Sequence, residues 1–134
     1  MKRIMFALSL AGTFLASPAL AHHSFDGTFD RNRMVKLSGS VTEFRFANPH
    51  SVIVLAVAGF DGKKQEWLIE TTSAGSLAAN GWTAHSLTAG EQLEVEGWVA
   101  RNGTRYARLS SMRHTDGRPV ALWLPPAPAP LPGA

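Results

Sequence analysis

The stretch from Gly39 to Val57, GSVTEFRFANPHSVIVLAV, constrains the fold more than any other part of the chain. It reads as strand, tight connection, strand, with Asn48-Pro49-His50 at the bend. Val35, Leu37 and Val41 share one parity, so Val35 to Phe46 is a strand with one apolar face. Gly39 sits inside it, and an interior glycine marks a bulge or sharp coil of the kind a small barrel needs. Phe44 and Phe46 fall on the other parity, so the strand is expected to change facing near that bend. Ser51 to Ala58 is apolar at almost every position, which marks a central strand covered on both sides. The bond before Pro49 is expected to be trans, the usual state of X-Pro peptides.

The rest of the chain continues in short β units. Gly59-Phe60-Asp61-Gly62 is a hairpin turn into a strand from Lys64 to Thr71. The one helical signal follows: Thr72 or Ser73 as N-cap, Ala74 to Asn80 as two turns, Gly81 just past the end. Trp82 and Leu87 are expected to pack beneath that helix. Gln92 to Arg101 alternates as a strand, Asn102-Gly103 is a tight turn, and Arg105 to His114 is the last long strand. Asp116-Gly117 turns again into a short apolar piece, Val120 to Leu124. The order predicts an all-β domain with one short helix, a five-stranded OB-like barrel with the helix between strands 3 and 4. A small open antiparallel sheet capped by one helix is the alternative.

The ends read differently. Lys2 and Arg3, an apolar run from Ile4 to Leu15, and Ala19-Leu20-Ala21 form a secretory leader over residues 1–21. The run is too short to span a bilayer as a stable helix, which takes about 20 residues. Residues 22–34 read as an N-terminal arm that lays Phe25 and Phe29 on the domain. Residues 35–124 form the barrel domain, and the proline-rich 125–134 an extended tail. The expected location is periplasmic or secreted, with no membrane span after processing. With no cysteine in the chain, thiolate chemistry and disulfides are excluded. Lys2 and Arg3 account for two of the formal +3 charges, so the processed chain is near neutral. That balance, with export, argues against nucleic acid as a partner. Arg101, Arg105, Arg108 and Arg113 read as a solvated strand face.

Taken in order, Ala21-His22-His23-Ser24-Phe25, Leu37-Ser38-Gly39-Ser40-Val41, Asn48-Pro49-His50, Glu66-Trp67 with Glu70, Gly81-Trp82, Ala89-Gly90-Glu91 and Asp116-Gly117-Arg118 resemble a family of small exported bacterial proteins, catalogued as domain of unknown function 6152. The resemblance covers residues 21–120. It implies export and a small β-rich domain and supplies no activity. Phe46 stands where that family tends to carry tryptophan, and the proline-rich tail lies outside the shared region.

The candidate chemistry is a metal site. Cleavage after Ala21 would leave His22 with a free α-amine, which chelates together with its own imidazole. His23 adds a second imidazole. Such nitrogen donors favour Cu(II), then Ni(II) and Zn(II), so copper or zinc is the expected ion. The α-amine ionises near about pH 8, so little competes with the metal at neutral pH. The other reading is two polar residues on a mobile terminus. His50, held behind a proline, can complete the site; taken alone it reads first as a turn histidine bonded to backbone. Glu70, Asp26 and Asp30 are possible oxygen ligands or supports for a histidine, though surface carboxylates by default. His85 and His114 read as surface residues. No hydrolase, phosphate-loop, zincin or dinucleotide motif appears, so an enzyme is not expected. The alternative to a metal carrier is a binding module that holds a protein or envelope polymer through a loop face or barrel edge, with Trp98 outward.

Overall fold

A computed structural model describes residues 25–120. The expected leader, His22, His23, Trp123 and the proline-rich tail lie outside the described residues. The elements are α1 (Phe25–Thr28), β1 (Phe29–Arg45), β2 (Val52–Ala58), β3 (Lys64–Glu70), α2 (Ala74–Ala79), β4 (Gln92–Ala100) and β5 (Tyr106–His114). The five strands close into a barrel in the order β1-β2-β3-β5-β4. The expected OB-like barrel is therefore the fold, with its helix between the third and fourth strands, and the open sheet is excluded.

Closure depends on β1, which runs for 17 residues and serves two neighbours. Its first part pairs with β4 and its last part with β2; Gly39 and Ser40 pair with both. A Cβ on Gly39 would stand 2.4 Å from the Ala56 carbonyl oxygen, so only glycine lets the two backbones come this close. The change of facing comes three residues later than Gly39. The β1–β2 register slips between Val41 and Glu43. One extra residue, Thr42, moves the inward parity from Leu37 and Val41 to Phe44 and Phe46. Thr42 Oγ1 donates to the Val54 carbonyl across this bulge at 3.2 Å.

β1 also begins earlier than its hydrophobic pattern suggests. Asp30 to Arg33 is polar on both parities, so the sequence reads as an arm. In the fold Phe29 already pairs with Ala100, and its ring is buried against Tyr106. A residue paired on one edge and anchored by one ring needs no alternating pattern.

Inside the barrel Val41, Ile53, Leu55, Ile69, Leu93, Val95 and Leu109 meet in one core. Val54, on the opposite parity of β2, is buried as well, as a central strand requires. Ser73 caps α2 by accepting from the Ser76 amide at 3.1 Å. Leu77 faces inward, and Trp82 and Leu87 close the barrel beneath the helix.

On the outside, Lys36 Nζ lies 2.7 Å from Glu94 Oε1, and Arg113 Nη2 lies 2.5 Å from the same oxygen. The Lys36 and Arg113 hydrogen bonds hold the Glu94 carboxyl below its ordinary value of 4.5. A depressed acid stabilises the fold above its unfolded value, and that contribution is lost as pH falls through the folded one. Glu94→Gln is therefore expected to flatten the loss of stability below about pH 4.5. Added salt is expected to shrink the difference between the two proteins. Urea midpoints measured across that pH range, at low and high salt, check both.

Candidate functional site

His50 lies in the connection between β1 and β2, and that connection is tied down at several points. The Ala74 amide donates to the Ala47 carbonyl at 2.9 Å, and the Gly75 amide donates to Asn48 Oδ1 at 3.3 Å. Ser51 is fully buried and exchanges backbone bonds with Thr71 and Thr72. The Ser51 hydroxyl bonds the Ala47 backbone. The Asn48-Pro49 peptide is cis, not trans as expected. The loop is thus bonded to the start of α2, and His50 stands on a firm base with its side chain 48% exposed.

What His50 meets was only partly visible beforehand. Glu70 ends β3, and Arg108 lies beside it across the parallel β3–β5 pairing. Arg108 Nη1 donates to Glu70 Oε1 at 2.7 Å and to the Thr71 carbonyl at 2.6 Å, and it stands 3.3 Å from His50 Nδ1. The Tyr106 hydroxyl donates to the other oxygen of Glu70. Glu70 is only 8% exposed, so the surface carboxylate expected by default is instead a buried anion with a cation and a phenol as partners. The distance from His50 Nδ1 to Glu70 Oε1 is 3.7 Å, too long for a hydrogen bond.

Arg108 likewise leaves the solvated face assigned to it; Arg101, Arg105 and Arg113 remain exposed. Two features could have flagged the cluster. Glu70 follows a buried Ile69 at a strand end, and the chain's single tyrosine lies on the outward parity of β5. Nothing in the sequence reveals that they meet, because they are 36 positions apart and join only when the parallel seam forms.

Beside this cluster lies the docked arm. Phe25 meets Trp98 edge-on with ring centroids 5.3 Å apart, and Phe29 meets Tyr106 at 5.3 Å. The Arg31 guanidinium lies 4.3 Å from the centre of the Phe25 ring and pairs with Asp26. Arg101 Nε donates to the Asp26 carbonyl at 2.8 Å. Trp98, read as an outward partner surface, is thus half-buried, with the chain's own arm against it. Asp26 serves Arg31, and Asp30 accepts from the Asn32 amide. Among the described residues the large apolar side chains left open are Met34 and Phe60.

The expected metal ligands are not gathered by the described residues. His22 and His23 lie outside them, and His50 is the one expected ligand within them. No group of three or more histidine, cysteine, aspartate or glutamate side chains able to hold an ion occurs among the described residues. His85 is exposed, and His114 is half-buried at the end of β5. No helix among the described residues is long and apolar enough to cross a membrane.

Several solved structures resemble the barrel. The N-terminal domain of PriB from Thermoanaerobacter tencongensis matches at TM-score 0.43 and 16% identity, over 62% of this chain and 96% of that one. A small single-stranded DNA-binding protein from Streptomyces coelicolor matches at 0.43 and 21%, over 61% and 90%. TiaS, in a complex with a transfer RNA and ATP, matches at 0.46 and 16%, over 64% of this chain and 19% of that one. The exclusion of nucleic acid drawn from charge and export is corrected by these matches, since one is by name a DNA-binding protein and another holds a transfer RNA. The exclusion is withdrawn. Likeness at this level bears on the fold, and no ligand follows from it. No curated protein matches the chain in sequence. A family profile does match, over residues 11–108, which span the arm, the His50 loop and most of the barrel: the chain belongs to the family of unknown function DUF6152.

Proposed function

We propose that this chain is an exported barrel that carries a late first-row metal ion, copper before zinc, through His22 and His23 at a processed N-terminus, with His50 as a further ligand. One observation supports the reading above others: contacts run without a break from the arm to the loop. Phe29 lies on Tyr106, Tyr106 on Glu70, Glu70 on Arg108, and Arg108 beside His50. Phe25 is two positions beyond His23, a span of about 7 Å of extended chain. Phe25 also meets Trp98, which pairs with Arg108, so the described part of the arm begins beside the neighbour of His50.

The donor chemistry fits. His50 Nε2 makes no bond among the described residues. An imidazole nitrogen, two more imidazoles and an α-amine make a set that favours Cu(II) over the other divalent ions of the first row. A copper ion held there would be cargo or a stored ion, and the chain's role carriage, sequestration or delivery.

Chain beginning at His22 is expected to bind Cu(II) with sub-micromolar affinity at neutral pH in a competition titration. His22→Ala and acetylation of the terminus are each expected to weaken it by roughly tenfold or more, about 1.4 kcal/mol per decade. Affinity that survives both changes overturns the N-terminal site. A His50→Ala protein with full affinity confines the site to the terminus. If no ion binds at all, the remaining reading is a binding module for a protein or envelope polymer. The open ring of Phe60, at the tip of the β2–β3 hairpin, is then the first residue to substitute.

A further inference from the structure

We infer that one end of the barrel docks on an anionic phospholipid surface, with Phe60 as the side chain that enters the lipid. Strand directions define that end. β3 runs parallel to β5, β2 runs antiparallel to β3, and β1 runs antiparallel to both β2 and β4. The β2–β3 turn, the β4–β5 turn and the start of β1 therefore lie together. The start of α2 and the end of β5 lie at the other end of the barrel.

Charge is divided between the two. Residues 25–33, 59–64 and 101–105 carry six basic and three acidic side chains, a net +3. The remaining described residues carry five basic and seven acidic ones, a net −2. Pairing sharpens the division. Away from this end every cation has a carboxylate: Lys36 and Arg113 share Glu94, Arg45 has Glu43, Arg108 has Glu70 and Arg118 has Asp116. At this end only Arg31 has one, Asp26. Arg33, Lys63, Lys64, Arg101 and Arg105 are exposed and have no carboxylate partner among the described residues. An anionic surface can take these charges without breaking an ion pair.

Phe60 projects from the same end with its side chain fully open. Its turn is held by the Gly59 amide donating to the Lys63 carbonyl at 2.8 Å and the Gly62 amide donating to the Gly59 carbonyl at 3.0 Å. The Lys63 amide donates to Asp61 Oδ1 at 3.0 Å. Arg105 Nε donates to Gln65 Oε1 at 3.1 Å, which ties the second turn to the base of the hairpin. The ring is thus presented on a braced tip beside two free ammonium groups. An apolar wedge and a basic patch are the two signals that together hold a protein reversibly on a bilayer. A single-stranded nucleic acid would want successive aromatic faces along a groove. Here the nearby rings of Phe25, Phe29, Tyr106 and Trp98 are engaged with one another, and Phe60 stands alone. None of the residues used is an expected metal ligand, so the surface stands or falls apart from the metal reading.

The test is co-sedimentation with vesicles of phosphatidylcholine alone and with an equal share of phosphatidylglycerol. The chain begins at His22, because the apolar run in the leader would bind lipid by itself. Binding is expected only with phosphatidylglycerol, and to weaken as salt is added. Phe60→Ala is expected to weaken it about tenfold. Lys63→Gln and Lys64→Gln are each expected to weaken it about fivefold. Arg118→Gln removes one charge beyond the end of β5 and is expected to change nothing. Phe60→Trp is expected to bind, and its emission to be quenched by lipids brominated along the acyl chains more than that of the unsubstituted protein. No binding to anionic vesicles overturns the proposal, as does binding that ignores Phe60→Ala. Equal losses in Lys64→Gln and Arg118→Gln overturn it too, since net charge alone would then explain them. An oligothymidine titrated in parallel that depends on Phe60 and Lys63, while vesicles are ignored, overturns it in favour of a nucleic-acid surface.

Discussion

Glu70→Ala is expected to destabilise the fold by about 3 kcal/mol, the lower end of the range for breaking a buried ion pair. The lower end applies because the Arg108 side chain is 25% exposed, so water partly compensates the stranded cation. Arg108 keeps the Thr71 carbonyl and His50 but loses its counter-charge, and the Tyr106 hydroxyl loses its acceptor. Glu70→Gln retains an acceptor for both neighbours and is expected to cost less than Glu70→Ala. Arg108→Met combined with Glu70→Gln is expected to cost less than the sum of the two single changes, since no charge is then left alone. Urea denaturation of the four proteins closes the cycle. Additive losses would mean that the pair contributes nothing as a pair.

The damage is expected to be local before it is global. The β3–β5 seam has three residue pairs, Leu68 with Tyr106, Ile69 with Ala107 and Glu70 with Arg108. The polar cluster includes members of the first and the last of these. Amide exchange in Glu70→Ala is therefore expected to rise first along the seam, and later in β1, β2 and β4. Uniform acceleration across the barrel would show instead that the cluster acts on the whole fold.

The second large effect comes from a residue with no side chain. A Cβ on Gly97 would stand 2.5 Å from the Arg108 carbonyl oxygen and 3.1 Å from its carbonyl carbon. Both are backbone atoms of the neighbouring strand, which cannot swing aside as a side chain can. Gly97→Ala therefore forces β4 and β5 apart, at the irregularity where their register already slips between Glu96 and Gly97. Overpacking of this kind costs about 1–3 kcal/mol where the surroundings relax, and more where they do not. Gly97→Ala is expected at or above the top of that range, with a correspondingly lower melting temperature. Gly75→Ala is the control. Gly75 lies in α2, where the nearest atom to a new Cβ is Ser73 Oγ at 3.9 Å, an ordinary contact. That change is expected to be neutral or to stabilise by up to about 1 kcal/mol. Equal losses at the two positions would show that crowding is not the cause.

These cases mark what the sequence made legible. Alternation identified β4 from Leu93 and Val95, and continuous apolarity identified β2, because those patterns record burial directly; past the slip at Gly97 the alternation fails, and Ala100 rather than Val99 is buried. Ser73 and Gly81 bounded α2 because capping is local chemistry. The polar start of β1 was not legible, since Asp30 to Arg33 carry no burial pattern and one aromatic ring holds them in place. Gly97 gives no local sign, because its reason for being glycine is the Arg108 carbonyl, eleven positions later in sequence. Glu70 reads from sequence as a support for a histidine, but its partners Tyr106 and Arg108 come from a strand far along the chain. Short-range chemistry is written in neighbouring residues, whereas the cluster around His50 exists only once the barrel has closed.

Closure also limits how this protein can be recognised. Among the described residues each of the five strands has a neighbour on both sides for at least part of its length. The coverage is uneven, because residues 29–38 of β1 pair with β4 alone and β5 meets β3 through three residue pairs. Another chain could add as a strand along those stretches, and elsewhere around the ring a partner must be read by side chains and loops.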